Sequence, residues 1–301
     1  MIYFFKNEFV QHEEVKIDIL SPTVQYGLNV FEGIRGYYNK SSNTLNIVEL
    51  HAHLLRLFDS AKFLNIQHDY KIEEIERYII ETISQNELWD DIYLRVVLLF
   101  DSSGSWRTDE KASLLIAPFR SEPYSLEKLA LTGKISSWER ISGKSMPPRI
   151  KAGANYLNSR LAQQEVQLAG YDTALLLNQF GFISEAPGSC LFFVKDGRFY
   201  TPSLSSDILG SITRLLIIDL IRDVIGRDLV EGTFERIDIY GADEAFLCGT
   251  AMEITALKSI DHIYFGPNPL TKILMIEFQK FILGDLKLEK RNCVSVPRMT
   301  L

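Results

Sequence analysis

Two short stretches of this chain carry residue types that can do chemistry together. In the run from Ile150 to Ser159, Lys151 opens a small-residue turn and Tyr156 follows five positions later. In the second stretch, a predicted strand ends at Glu185. An amine can bond to an aldehyde-bearing ring, a phenol can hydrogen-bond a ring substituent, and a carboxylate can keep a ring nitrogen protonated. Together these stretches predict a site for an aldehyde-bearing aromatic ring.

The surroundings of Lys151 suit an amine that must lose its proton to react. Arg149 stands two positions before it, and a cationic neighbour or partial burial makes a lysine easier to deprotonate. The small residues Ala152, Gly153 and Ala154 leave room for a planar ring beside the amine. By itself the lysine would be read as a surface residue, and Glu185 by itself as a solvated charge. Their combination favours the chemical interpretation.

Two segments could bind a phosphate through backbone N–H groups, hydroxyls or a guanidinium. Residues Leu209–Arg214 place small and hydroxyl side chains at a predicted helix start, and Cys248–Ala251 form a glycine-threonine turn after an apolar strand. Arg56, on the first predicted helix, could add positive charge. Singly, these features are typical of a helix cap, a turn and a solvated helix face.

In order and spacing, six motifs together resemble the fold-type IV pyridoxal phosphate transaminases, and within them the branched-chain amino acid aminotransferases. The likeness covers nearly the whole chain, and its specificity lies in the set rather than in any one motif. The motifs are Tyr26–Arg35, His53–Lys62, Tyr93–Arg95, Lys151–Tyr156, Glu185 and Gly249–Thr250.

The resemblance implies pyridoxal 5'-phosphate as cofactor and assigns a role to each matching residue. Lys151 corresponds to the Schiff-base lysine that also carries the proton, Tyr156 to the partner of the phenolic oxygen, and Glu185 to the partner of the pyridine nitrogen. The residues matching the phosphate anchors are Arg56, Ile212, Thr213 and Thr250. Those matching the substrate side are Tyr26, Phe31, Tyr93, Arg95 and the Thr250–Ala251 backbone.

Two loops depart from the pattern of the resembled family. Gly210-Ser211 stands where a proline and a glycine are common before Ile-Thr-Arg, so the backbone of this loop is expected to differ slightly. After Glu185 the usual glycine-rich turn ends in asparagine, whereas this chain has Cys190. A cysteine lacks the two donors and the acceptor of an asparagine side chain, which bears on the substrate class.

The fold is predicted to be mixed α+β and α/β, in two domains. A length of 301 residues fits two cores, and a polar, proline-containing stretch separates two apolar-patterned regions. We expect an N-terminal α+β domain at 1–119, a linker at 120–127 and a cofactor-binding domain at 128–301. Val15–Ile19 and Phe182–Ser184 are predicted to be extended, and Asn155–Leu168 helical. The resemblance implies the architecture of D-amino acid aminotransferases, with the site at the domain junction, and at least a homodimer.

Bulk properties exclude several classes of function. The net charge of -7 argues against a nucleic-acid partner, and the most apolar run, Leu215 to Ile221, is too short and too charged to span a membrane. Three cysteines without metal-ligand spacing favour a reducing cytoplasm over a disulfide framework, and we predict no metal site. His51 and His53 would face different directions on a helix, so both are predicted at the surface.

The predicted activity is transamination of apolar L-amino acids with 2-oxoglutarate, against three alternatives. In D-amino acid transaminases a histidine usually lies two positions beyond the substrate-strand arginine, whereas Arg95 here is followed by Val96-Val97. A lyase of the aminodeoxychorismate type would use the same lysine to release pyruvate. The loop departures leave a third alternative, a non-enzymatic binding protein on the same scaffold.

Overall fold

The structure, a computed structural model, describes residues 1–298 in two compact units. The first unit comprises Met1–Tyr124, Ile150–Ala154 and the chain from Ile282 onward, and the second comprises Ser125–Arg149 and Asn155–Phe281. Lys151 therefore belongs to the first unit, although most of its neighbours in sequence belong to the second. The predicted linker at 120–127 stays a prediction.

Strands and helices are numbered here in chain order. The strands are β1 (Ile2–Phe5), β2 (Glu8–Gln11), β3 (Asn29–Asn39), β4 (Thr44–Val48), β5 (Ile92–Leu99), β6 (Ser113–Arg120), β7 (Leu131–Glu139), β8 (Thr173–Leu177), β9 (Cys190–Lys195), β10 (Arg198–Pro202), β11 (Leu229–Gly232), β12 (Glu244–Gly249), β13 (Glu253–Ile260), β14 (Ile263–Tyr264) and β15 (Cys293–Pro297). The helices are α1 (Pro22–Tyr26), α2 (Leu50–Phe63), α3 (Ile72–Gln85), α4 (Tyr156–Leu168), α5 (Ile212–Asp219), α6 (Arg236–Tyr240) and α7 (Pro269–Ile282).

The first unit is built on a seven-stranded antiparallel sheet in the order β15-β4-β3-β5-β6-β1-β2. Side chains alternate between the two faces of a strand, so Val30, Glu32 and Ile34 of β3 share one face and are buried. On α2, Leu50, Leu54, Leu57 and Ala61 recur at helical spacing and pack into the same apolar core. The result is an α+β unit with α2 packed against β3, an interior strand of the sheet.

The second unit contains a mixed sheet in the order β11-β10-β9-β12-β13-β7-β8, with β14 paired to β13. The pairs β10–β11, β13–β7 and β7–β8 are parallel, and the other pairs are antiparallel. Helix α4 packs on β7 and β8, and α5 packs on β12. Both α4 and α5 carry at their first residues side chains that the sequence singled out, Tyr156 and Ile212.

The mixed fold class and the α4 helix are confirmed, but two local predictions are wrong. Residues 15–19 do not form a strand: Ile17 and Ile19 are exposed, and the segment has no strand partner in the described part of the sheet. The strand predicted at Phe182–Ser184 is reduced to an isolated bridge between Leu177 and Ile183. For residues 15–19, an alternating sequence alone does not make a strand, because no neighbouring strand is available.

Among residues 1–298, no helix has both the length and the apolar character needed to cross a membrane.

A buried carboxylate fixes the start of α7 to the strand β12. Glu244 accepts hydrogen bonds from the N–H groups of Leu270 (3.0 Å) and Thr271 (2.8 Å) and from the Thr271 hydroxyl (2.7 Å). The first N–H groups of a helix have no partner within the helix, and a negative charge at that end is favourable. Glu244 is the first residue of β12, and this strand ends directly before Thr250. The cap therefore also anchors the strand that carries the predicted phosphate turn.

We predict that Glu244→Gln lowers the free energy of unfolding by about 1–3 kcal/mol. The NH2 group of the glutamine would replace one carboxylate oxygen and would then face an N–H or O–H donor at the start of α7 that has lost its acceptor. Urea unfolding followed by circular dichroism measures the change. The matched control is Glu277→Gln on the same helix, which removes a pair with Lys280 near the surface and is expected to cost less than about 0.5 kcal/mol. Equal effects of the two substitutions would contradict the capping role.

Candidate active site

The backbone of Lys151 is hydrogen-bonded on both sides within the first unit. Its carbonyl accepts the N–H of Phe31 at 3.0 Å, and its own N–H donates to the Ser60 hydroxyl on α2 at 3.2 Å. An antiparallel bridge between Val30 and Ala152 continues the contact with β3. The lysine is thus held against a regular strand and a helix rather than on a free loop.

Gly153, next but one to Lys151, lies close to the side chain of Asn29, the first residue of β3. A Cβ on Gly153 would lie 2.7 Å from the Asn29 side-chain oxygen. Gly27 adopts a left-handed conformation with φ of +66°, and a Cβ built there would lie 3.4 Å from Ala154. The sequence interpretation assigned the small residues to space for a ring, and packing against the Asn29 side chain is a second reason for Gly153.

Phe31, Tyr93 and Arg95 form one cluster with the Lys151 amine. The Lys151 amine lies 5.0 Å from the centre of the Phe31 ring, and the Arg95 guanidinium carbon lies 4.4 Å from the same centre and 5.5 Å from that of Tyr93. A Cβ on Gly33 would lie 1.9 Å from the Tyr93 hydroxyl, so glycine is needed for the phenol to cross β3. The cluster offers aromatic surface and two cationic groups, which suits an apolar molecule carrying a carboxylate.

Behind this cluster, the opposite face of β3 carries a buried charge network. The Glu32 carboxylate accepts Arg56 Nε at 2.7 Å and Arg56 Nη2 at 2.8 Å, and lies 2.8 Å from His53 Nδ1. Burial raises the pKa of Glu32, but the charge and hydrogen bonds of Arg56 and His53 outweigh it and lower the pKa to about 2. Arg56 is therefore paired to a fully ionised carboxylate at neutral pH.

The surface position predicted for His53 is wrong. Only 2 % of this residue is exposed, and burial, opposed by Glu32 and reinforced by the charges of Arg56 and Lys151, lowers the pKa of its imidazole. His51 is exposed as predicted and pairs with Glu76. Both histidines lie on α2, but only His53 is on the face that packs against β3. There its imidazole contacts the Glu32 carboxylate.

In the second unit, Glu185 is buried and paired. Its Oε1 lies 2.7 Å from Arg140 Nη2 and accepts the Leu209 N–H at 3.1 Å, while the Cys190 thiol lies 3.7 Å from Oε2. Burial, and then the charge of Glu185, raise the pKa of Cys190 to about 12, so this thiol stays protonated at neutral pH and acts as a weak donor. Cysteine thus supplies one weak hydrogen bond where the resembled family often has an amide.

The start of α5 and the turn after β12 present several donors close together. The Ser211 hydroxyl accepts the N–H of Arg214 at 3.2 Å, capping α5 at the third helical position, and the hydroxyls of Thr213 and Thr250 lie 3.4 Å apart. The Ile212 and Thr213 N–H groups belong to the first turn, where a helix offers its donors to an anion. Backbone donors and two hydroxyls form a set that fits a phosphate group.

Tyr156 and Tyr26 lie at the ends of two helices. Tyr156 is the first residue of α4 and is partly buried, directly after Asn155, whose amide donates to the Pro147 carbonyl at 3.2 Å. Tyr26 ends α1 in the first unit with 48 % of its surface exposed in the single chain. Ala251 follows Thr250 in the exposed turn between β12 and β13.

Sequence reasoning missed three residues that hold the predicted ones in place: Glu32, Ser60 and Arg140. One signal was available for Glu32, because a carboxylate between Val30 and Ile34 occupies a core-facing position of an alternating strand. For Ser60 and Arg140 we find no such signal, since their partners are distant in sequence.

Comparisons with known proteins show the family of this chain. A model of the family described as "Amino-transferase class IV" matches residues 29–260. The "Probable branched-chain-amino-acid aminotransferase" of Aquifex aeolicus is 33% identical over 293 residues, which cover 96% of this chain and 94% of that protein.

Solved structures give the same result. The branched-chain aminotransferase of Thermoproteus uzoniensis with norvaline has a TM-score of 0.89 and 35% identity, covering 94% of this chain and 95% of that one. The T.th. branched-chain amino acid aminotransferase complexed with N-(5'-phosphopyridoxyl)-L-glutamate has a TM-score of 0.88 and 32% identity, with 94% of each chain covered. With most of its length matched in sequence and in structure, this chain belongs to the class IV aminotransferase family.

Proposed function

We propose that this enzyme transfers the amino group of branched-chain and other apolar L-amino acids to 2-oxoglutarate, using pyridoxal 5'-phosphate. The observation that carries the proposal is the Lys151 amine set beside Phe31, Tyr93 and Arg95 in one cluster. The names of the relative and of the two solved structures, which include norvaline and a phosphopyridoxyl glutamate, support this substrate pair.

Lys151 is proposed to hold the cofactor through its side-chain amine and, when that amine is free, to move a proton between Cα of the amino acid and C4′ of the cofactor. When bound, the cofactor supplies an electron-accepting ring for the carbanion left at Cα. The hydrogen bonds that the Lys151 backbone accepts from Phe31 and donates to the Ser60 hydroxyl fix the point from which its side chain extends. That fixed position suits a group that acts first as nucleophile and then as base.

The residues proposed to hold the cofactor would bind three of its polar groups. Glu185, oriented by Arg140 and the Leu209 N–H, is assigned to the pyridine nitrogen, and Tyr156 to the phenolic oxygen. The phosphate is assigned to Arg56, Ile212, Thr213 and Thr250. Charge-assisted bonds and first-turn N–H groups are the usual anchors of a phosphate in proteins.

The substrate side is proposed to comprise Tyr26, Phe31, Tyr93, Arg95 and the Thr250–Ala251 backbone. Arg95 is assigned to carboxylate recognition, because its guanidinium is flanked by the rings of Phe31 and Tyr93. Val97 stands two positions beyond Arg95 and pairs with Phe31 across β3 and β5. A D-amino acid transaminase would usually place a histidine there, so this apolar position favours L-amino acids with apolar side chains.

We also propose that the enzyme works as a homodimer, through an apolar patch formed by Ile19, Leu20, Val24 and Trp106. Each of these residues is more than half exposed in the single chain. The Gly104 N–H donates to the Leu20 carbonyl at 3.0 Å, which joins the two segments of the patch within the first unit. Clustered apolar exposure of this kind is typical of association surfaces.

A reducing cytoplasm is the proposed location. Cys190, Cys248 and Cys293 are reduced thiols in the structure, which is the usual state in that compartment.

We predict that Lys151→Ala abolishes turnover, with a loss of at least about 10³-fold in kcat, because the nucleophile and the proton carrier are one group. The assay is L-leucine with 2-oxoglutarate, together with the visible absorption of the bound cofactor before and after L-leucine. Lys144→Ala, at an exposed lysine, is the control and should behave as the wild type. Full turnover in Lys151→Ala would contradict the assignment.

A panel of amino donors tests the substrate class. L-leucine, L-isoleucine and L-valine are expected to convert the bound cofactor at least about 10-fold faster than D-alanine, because Val97 leaves an apolar position beside Phe31. The measurement is the rate of the cofactor absorbance change in single-turnover mixing. Faster conversion by D-alanine would favour a D-amino acid transaminase, and pyruvate release without an acceptor would favour a lyase.

Substitution in the apolar patch tests the dimer. Leu20→Glu is expected to shift the protein toward monomer, because a charge would be buried at the contact. The control is Leu168→Glu on α4, where the leucine is 91% exposed and lies in the other unit. Sedimentation velocity gives the mass of each species. A Leu20→Glu protein as fully dimeric as its control would contradict this surface.

A further inference from the structure

The buried carboxylate of Glu32 has no role in the functions proposed so far. It lies on β3 with no exposed surface and faces α2, which contributes Arg56 and His53. Glu32 belongs to the same strand as Phe31, but to the opposite face. Its neighbours on that face, Val30 and Ile34, are core residues.

The hydrogen bonds of Glu32 fix the plane of the Arg56 guanidinium. Oε1 accepts from Nε at 2.7 Å and Oε2 accepts from Nη2 at 2.8 Å, which is a two-point contact along one edge of the group. Because a guanidinium is planar and rigid, fixing one edge also fixes the direction of Nη1. His53 Nδ1, 2.8 Å from Oε2, holds the carboxylate itself in place.

Stability is a weak explanation for this arrangement. A buried ion pair must offset the loss of hydration of both charges, and apolar residues of the same size often stabilise a core as well. The histidine does not share the charge, because burial, together with the nearby charges of Arg56 and Lys151, favours its neutral form and lowers its pKa. The ionised carboxylate therefore serves the orientation of one guanidinium.

We propose that Glu32 is a positioning residue for the cofactor phosphate, acting by holding Arg56 in one orientation before the cofactor binds. This inference rests on the proposed role of Arg56 as a phosphate anchor. A guanidinium that is already ordered loses less side-chain freedom on binding its anion. Glu32 would thus raise the affinity for the phosphorylated cofactor without touching it.

The test compares a phosphorylated with an unphosphorylated ligand. Apoenzymes of the wild type, Glu32→Gln, Arg56→Gln and the double variant are titrated with pyridoxal 5'-phosphate and, separately, with pyridoxal. We expect Glu32→Gln to weaken binding of pyridoxal 5'-phosphate by about 10- to 100-fold, by analogy with the losses found when residues that orient metal ligands are replaced. Pyridoxal binding is expected to change less than about 3-fold. In the double variant, binding should be no weaker than in Arg56→Gln alone, because Glu32 acts through Arg56.

Two further variants separate positioning from folding. Glu32→Asp keeps the charge on a shorter side chain, so it is expected to fold and to show a smaller loss that is again confined to the phosphorylated ligand. Glu76→Gln removes the partner of exposed His51, which lies on the same helix α2 as Arg56, and should bind both ligands as the wild type does. Thermal unfolding of each apoenzyme shows that the variants are folded.

Several outcomes would overturn the inference while leaving the proposed function intact. They are wild-type affinity in Glu32→Gln, equal losses for pyridoxal and pyridoxal 5'-phosphate, or additive losses in the double variant. If Arg56→Gln binds pyridoxal 5'-phosphate as tightly as the wild type, the role of Arg56 is wrong and the inference falls with it. A wild-type protein that binds no pyridoxal 5'-phosphate would instead refute the proposed function itself.

Discussion

The hydrogen bonds that hold the backbone of Lys151 to Phe31 and Ser60 are the constraint on which the proposed chemistry depends. A lysine side chain has several rotatable bonds, so its amine returns to one place only if its backbone is fixed. The same contacts bring that amine beside the Phe31 ring. Gly153 permits this close approach, because a larger residue would collide with Asn29.

Each unit contains a buried glutamate paired with an arginine at 2.7 Å, Glu32 with Arg56 and Glu185 with Arg140. Such pairs add little net stability, because both partners lose their hydration. Such a pair instead fixes the orientation of its side chains, because a carboxylate bound by a guanidinium and by a second hydrogen-bonding group cannot rotate freely. In one pair the oriented group is the Glu185 carboxylate, which is proposed to bind the pyridine nitrogen. In the other it is the Arg56 guanidinium, which is proposed to bind the phosphate.

The two loop departures have structural explanations. Ser211 supplies an N-terminal cap for α5 through its hydroxyl, so the helix start remains ordered without the proline and glycine of the resembled pattern. Cys190 places a protonated thiol beside Glu185, where an amide is common, and its weak hydrogen bond leaves that carboxylate to Arg140 and Leu209. In this structure α5 has an N-terminal cap, and Glu185 is paired with Arg140 and the Leu209 N–H.

From sequence alone, short-range periodicity predicted the mixed fold, because it is a local property. The class of chemistry followed from the resemblance carried by six motifs in order, and the roles of Lys151, Glu185 and the phosphate segments remain proposals. The supporting contacts required the tertiary structure. Ser60 meets Lys151 across 91 positions of the chain, and Glu32 meets Arg56 across 24. His53 was misplaced for the same reason: a helix pattern shows which residues share a face, but only packing against β3 decides that this face holds a carboxylate.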